Sequence, residues 1–315
     1  MNATAVEWKE LMEEHRACAE LTPLPQRSMN HRSQAITDIW RMKGYLRGAA
    51  KRKVTPPHSI PTEVLLMLLS PNWRTDQTMA GVGVDRKAQL SNHCTQKVFE
   101  DMYTHLNQTG FTPVFWHRSV GATLQKNDTE GPAGKRVCHI LDVQGKAFYA
   151  MKIKEKNPPP MSHHDHGFLK HRRRESAVRT QQCGIWRSRR LGRASCTNNL
   201  DMTNAFASVD WKEMGEHTVK EVLKKEDIEF GMQRFQWATV ELPSEETNIL
   251  MRIGCGNLQG DPWAVQCFGR AFKIPVFDWN VRHGDWMGEA ASAMHCRCPV
   301  TGEGVDLSLT KFADD

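Results

Sequence analysis

An α+β fold is what this sequence predicts, and three observations predict it. Apolar residues recur at helical spacing in several segments before residue 110. From residue 110 the texture changes to strand, turn and strand. Two aspartates, Asp201 and Asp314, follow strand-like runs far apart in the chain, so strands are expected there too. A chain of 315 residues can hold one large domain, or two or three smaller ones, with a sizeable core.

Each element has its reason. Residues 1–22 read as an amphipathic helix with Val6, Leu11, Cys18 and Leu21 along one side. Residues 23–60 are polar, basic and proline-punctuated, a linker with one helix near Ile36 to Leu46, so residues 1–60 form a helical and linker region. Residues 61–110 form a helical segment. Pro61-Thr62-Glu63 opens its first helix. Leu90, Val98, Met102 and Leu106 keep helical spacing in its second. GFTPVFW and then ATLQKNDTEGPAGKRVCHILDV read as strand, turn, strand. QGKAFYAMKIKEK is helical, NPPPMSHHDH a loop, and HGFLKHRRRESAVRTQQCGIWRSRRLG a turn followed by a helix. SCTNNLDMTNAFASVDW is a strand running into a turn, and WKEMGEHTVKEVLKKEDI a helix. TVELPSEETNILMRIGCG is a hairpin around Pro243 to Thr247, and WAVQCFGRAFKIPVFDWNVR begins as a helix. VDLSLTKFADD closes the sequence as a strand with Val305, Leu307 and Leu309 on one face.

Composition narrows the partners. The longest apolar run, Val64 to Leu69, falls far short of the roughly 20 residues of a membrane span, so no membrane partner is expected. The first residues lack a charged-then-apolar signal pattern, and nine cysteines without a CxxC pair fit a reducing compartment. The expected location is therefore intracellular, nuclear or cytoplasmic. His295 to Cys298 (HCRC) is a weak metal motif without a partner pair. His163, His164, His166 and His171 read as a polar loop before a helix in preference to a metal site. Between Lys170 and Arg193 lie one lysine and eight arginines against a single acid, Glu175. That stretch carries more positive charge than the chain's net +6, so the remainder is net negative. A basic stripe on such a body is the footprint of a phosphate-backbone partner, and the guanidinium fork suits phosphate geometry. A solvated helix face or a localisation signal is the plain alternative.

The acids sharpen this. Asp201 stands at a strand end with Phe206 five residues on, and Phe312-Ala313 precedes Asp314-Asp315. Nucleotidyl transfer needs two hard divalent cations held by carboxylates from different strands, and a split βαβ sheet brings such strands together. From about residue 112 to the end, the sequence resembles the reverse transcriptase domain of non-LTR (LINE-type) retrotransposons. DMTNAF resembles the first catalytic motif, D-x-x-x-A-F. GNLQGDP (Gly256 to Pro262) resembles the R-Q-G-D-P segment, FADD the [YF]-A-D-D turn, and HGFLKHRRRESAV the G-F-x-x-x-R segment. RVCHILDV is similar to the family's R-x-I strand.

The resemblance implies a polymerase with fingers and basic helix over 111–200 and an incomplete palm over 201–315, the palm being a split βαβ (ferredoxin-like) antiparallel sheet. It implies RNA-directed DNA synthesis on an RNA template and a DNA primer from deoxynucleoside triphosphates, with two Mg²⁺ ions, or Mn²⁺ in their place. Asp201 and Asp314 would ligate the metals and Asp315 would support them. Phe206 would exclude a ribose 2′-hydroxyl, though an aromatic after a strand is by default a core residue. Gln259 and Gly260 would lie against the template–nucleotide pair. Arg136 and Lys126 would hold the triphosphate. Gly167, Phe168, Arg172, Arg173 and Arg174 would follow template or primer backbone. Gly254, Gly256 and Gly260 do not make a dinucleotide fingerprint, since Gln259 stands where the third glycine belongs.

The match departs from the family at Asn257-Leu258, and an insertion is expected around Asp278 to Glu289. The family continues past its acidic pair into a return strand and a helical thumb. The thumb is therefore expected to be missing, and residues 1–315 to polymerise poorly or not at all. A non-catalytic RNA-binding remnant using the 170–193 helix is the alternative. RNA-directed RNA synthesis is disfavoured by the phenyl ring of Phe206.

Overall fold

The computed structural model describes residues 31–49, 53–69, 86–125, 131, 134–159, 165–167, 169, 172–194, 205–207, 209–211, 218–244, 247–273, 278, 282, 295–297, 300–302 and 304–307. The chain divides into two units, Met1–Pro158 with Phe206–Cys267, and Pro159–Ala205 with Phe268–Asp315. Both helix and sheet are present, so the α+β class holds.

The first unit opens with α1 (His31–Gly48), α2 (Thr62–Leu68) and α3 (Arg86–Thr109). The helix expected near Ile36 to Leu46 and the two expected after residue 61 are therefore present. A 3-10 turn, Val114–His117, follows and precedes β1 (Arg118–Gln125), β2 (Lys135–Leu141) and α4 (Val143–Lys156). GFTPVFW is thus not a strand. Pro113 starts a tight turn that sends Trp116 into the core, and the strand begins only at Arg118. The chain returns through a helical turn, Lys220–Val222, to α6 (Ile228–Gln236), β3 (Thr239–Leu242) and β4 (Ile249–Arg252). The single helix expected over residues 211–228 is interrupted within its described part. Leu223 is extended, and a 3-10 turn, Lys225–Asp227, points Asp227 inward before α6 begins.

The four strands form one sheet in the order β2-β1-β3-β4. Its two hairpins are antiparallel, and its central pair, β1 with β3, is parallel in the register Arg118↔Thr239. A parallel pair needs a long crossover, which α4 and α6 supply. Within the stretch expected to form an antiparallel palm, 201–315, β3 and β4 instead join β1 and β2 of the expected fingers in this mixed sheet. The strands expected at Asp201 and Asp314 lie outside the described residues.

The core is aromatic. Phe148 lies 5.3 Å from Trp116 and 5.0 Å from Phe230, the latter edge to face, between ring centroids. Trp263 meets Tyr149 at 5.9 Å and Phe235 at 5.8 Å. Each such pair adds about 1 kcal/mol beyond the area it buries. The Tyr149 hydroxyl donates to Phe230 O at 2.9 Å, which satisfies its one polar atom.

Inside this core sits a cation. Lys152 Nζ lies 3.3 Å from Asp38 Oδ2 and 3.3 Å from Asp227 Oδ1, all three side chains being buried. Asn107 and Gln34 also donate to the Asp38 carboxylate, at 3.1 and 2.6 Å. The network pins α1 and α3 to α4, and α4 to the turn ahead of α6.

In the second unit α5 (Arg174–Arg190) is the expected basic helix. Glu175 in its first turn and Arg187, Arg189 and Arg190 in its last complement the helix dipole. β5 (His295–Arg297) and β6 (Gly304–Asp306) form a small hairpin, pairing His295 with Asp306. α7 (Pro262–Ala271) has residues in both units.

Candidate functional site

Two turns that lie far apart in the sequence are bonded to each other within the first unit. One carries Phe206, the other is the GCGNLQGDP loop. Asn257 N donates to Phe206 O at 2.6 Å, and Gly256 N to Val209 O at 2.9 Å. Trp211 Nε1 donates to Gly256 O at 2.8 Å, and the Cys255 thiol to Ala207 O at 3.1 Å. Gly256 makes this approach possible. Its φ is +74°, and a Cβ there would sit 2.4 Å from Ala207 Cα and from Ala207 O. No side chain fits between the two backbones.

The next residues turn onto the sheet. His139 N donates to Gln259 O at 2.9 Å, so the turn satisfies one outward-facing amide of β2, the sheet's edge strand. Gly260 follows at φ +100°, where a Cβ would lie 2.9 Å from His139 O. A missing side chain therefore lets backbone approach backbone at Gly260, and the neighbour is β2 of this chain. Arg136 lies on the same strand, opposite Leu124 of β1 and exposed. Strand alternation puts its side chain on the other face from that of His139. Three of the segments singled out in the sequence thus meet: the Arg136 strand, the Phe206 turn and the Gln259-Gly260 turn. The Phe206 ring is buried, which fits a packed aromatic.

Beneath this junction is a polar seam that the sequence did not reveal. Asp261 caps α7, accepting from Trp263 N at 3.2 Å through Oδ1. Its Oδ2 accepts from Arg234 Nε at 2.8 Å and pairs with the second guanidinium nitrogen at 2.7 Å. Arg234 also donates to Trp116 O and lies 5.0 Å over the Tyr149 ring. The Asp-Pro pair at a helix start was a readable capping signal, whereas the arginine partner was not. His139 Nδ1 lies 2.9 Å from Ser119 Oγ. Burial pushes the His139 imidazole down to about 4, opposed by Asp261 and aided by Arg234. Burial likewise lowers the Lys146 ammonium on α4, with Asp261 pulling the other way. Lys146, absent from the sequence-based candidates, is thus a partly buried cation on α4 that feels the Asp261 carboxylate.

In the second unit Gly167 is buried, and Arg172 donates to Asp165 O at 2.5 Å, which ties it to its own loop. Arg173 and Arg174 are exposed at the start of α5, where Arg173 N donates to Ser176 Oγ at 3.2 Å. Asp201, Asp314, Asp315, Lys126 and Phe168 lie outside the described residues, so no distance between the acids is stated. Among the described residues no group of three His, Cys, Asp or Glu side chains has the arrangement of a metal site, and no helix is long and apolar enough to cross a membrane. No protein-family model matches the chain, and no curated protein matches it.

Proposed function

We propose that the chain is an RNA-directed DNA polymerase domain of the non-LTR retrotransposon kind, acting on an RNA template, a DNA primer and deoxynucleoside triphosphates. The observation that carries this is the backbone junction of the Phe206 turn with the GNLQGDP loop, 2.6 Å at its shortest bond. In the resembled family both segments border the incoming nucleotide, and chains that merely shared the short motifs by accident would have no reason to join them. The meeting of the Gln259-Gly260 turn with the Arg136 strand supports the same function.

The roles follow from chemistry. Asp201 and Asp314, with Asp315 beside them, are the acids that the resemblance assigns to divalent metal. When bound, two Mg²⁺ ions would activate a primer 3′-hydroxyl and offset charge on the triphosphate. Arg136, with Lys126, supplies fixed positive charge for the triphosphate. By the resemblance Phe206 would limit space beside the sugar, its ring being held in the core. The Gln259-Gly260 turn, held against β2, keeps the floor of the site in one place. Arg173 and Arg174 face solvent and suit nucleic-acid backbone.

The test measures binding of labelled deoxythymidine triphosphate to the purified chain with Mg²⁺ and a poly(rA)–oligo(dT) duplex, together with primer extension. Metal-dependent nucleotide binding is expected, lost in Asp201→Ala and in Asp314→Ala, with any extension lost in both. A chain that shows neither binding nor extension, or whose extension survives Asp201→Ala, overturns the proposal. Retention of salt-sensitive RNA binding with no nucleotide binding selects the second reading, a non-catalytic RNA binder, which the exposed basic face of α5 favours.

A further inference from the structure

We propose that the solvent face of α5 is a stacking platform for single-stranded RNA, with Trp186 receiving an unpaired base and the surrounding arginines its flanking phosphates. This rests on the nucleic-acid-binding part of the function proposed above and adds the strandedness of the partner and the residue that reads it. At 100° per residue, Arg179, Gln182, Trp186, Arg189 and Arg190 fall on one side of the helix, and all five are exposed. The opposite side, with Ala177, Gly184 and Ser188, is the buried one. Trp186 stands in the middle of the charged face with 62% of its surface exposed. The Arg190 guanidinium lies 5.3 Å from its ring centroid.

Charge alone explains the arginines but not the indole. A solvated helix face gains nothing from a tryptophan in water, whereas a flat ring flanked by guanidinium forks is the pairing that single strands use, base on ring and phosphate on fork. The partner is single-stranded because a duplex hides the faces of its bases and offers only edges and backbone. Arg179 and Arg190 are about 16 Å apart along the axis, which spans several phosphates on either side of a stacked base.

Fluorescence anisotropy with a labelled oligo(A) RNA of about twelve nucleotides, and with an RNA duplex of equal length, tests this on the full chain. Trp186→Ala is expected to bind the single strand about tenfold more weakly, one lost stacking contact, while the duplex affinity and the salt slope stay unchanged. Trp186→Phe is expected to restore most of the loss. Circular dichroism of both variants should match the parent, since the ring is outside the core. Equal single-strand affinity of Trp186→Ala and the parent, or an equal loss on the duplex, overturns the platform while leaving the polymerase proposal standing. Absence of any RNA binding by the parent overturns both. Loss of metal-dependent nucleotide binding in the polymerase test, with the Trp186 effect intact, overturns only the polymerase.

Discussion

Lys152 and Arg190 are both cations resting on aromatic rings, in opposite surroundings. Lys152 Nζ is 5.5 Å from the Phe148 centroid and 5.8 Å from that of Phe230, deep in the first unit, with Asp38 and Asp227 completing its shell. Arg190 is 5.3 Å from the Trp186 centroid on an exposed helix face of the second unit. The buried cation has all its charge answered within the chain, and its work is to fasten helices together. The exposed cation has its charge turned to water, where a phosphate can replace that water. These two basic residues therefore do different work: Lys152 fastens elements of the core, and Arg190 is open to the solvent.

The largest expected effect comes from breaking the fastener. Lys152→Ala strands two buried carboxylates and is expected to lower unfolding free energy by about 3–5 kcal/mol, read from urea denaturation. A loss within about 0.5 kcal/mol would remove the distinction. Acid should probe the same interior from another direction. Burial holds His117 well below the ordinary imidazole value and His139 down to about 4. The unfolded chain therefore takes up these protons at higher pH than the folded one. The stabilisation is complete above about pH 6.5 and is lost as pH falls toward 4, by a few kcal/mol. His139→Gln should flatten that decline in a pH series of denaturation curves, and an unchanged decline would show that this imidazole is not the source. The smallest effect on stability belongs to the exposed arginines. Arg189→Ala with Arg190→Ala should change unfolding free energy by no more than about 0.5 kcal/mol, yet make the logarithmic salt slope of single-strand RNA binding shallower by about 1.4. A large stability loss in that double variant would make these arginines fasteners too.

Local pattern was the legible part of this fold. The helices after Pro61, the β1–β2 and β3–β4 hairpins, the α4 helix and the basic helix all stand where spacing and turn residues put them. Pairings between distant segments were not legible. Lys152 sits in a charged run, AMKIKEK, that looks like a solvated helix face, and its partners Asp38 and Asp227 come from other elements. The parallel pairing of β1 with β3 has no local signature for the same reason. The interruption at Leu223 follows from it too, because an unbroken helix would not deliver Asp227 to Lys152. Of the candidate site, the positive-φ glycines at 256 and 260 answer to motif positions visible in the sequence. Arg234, His139 and Lys146 escaped notice because each acquires its meaning only from a neighbour far along the chain.

The bonds between the Phe206 turn and the GNLQGDP loop have a mechanical consequence. Two turns joined through their main chains at Gly256 and Asn257 cannot swing separately. Any shift of Gln259 against β2 must be transmitted to residue 206, so the pair behaves as one lever pivoting on the strand edge.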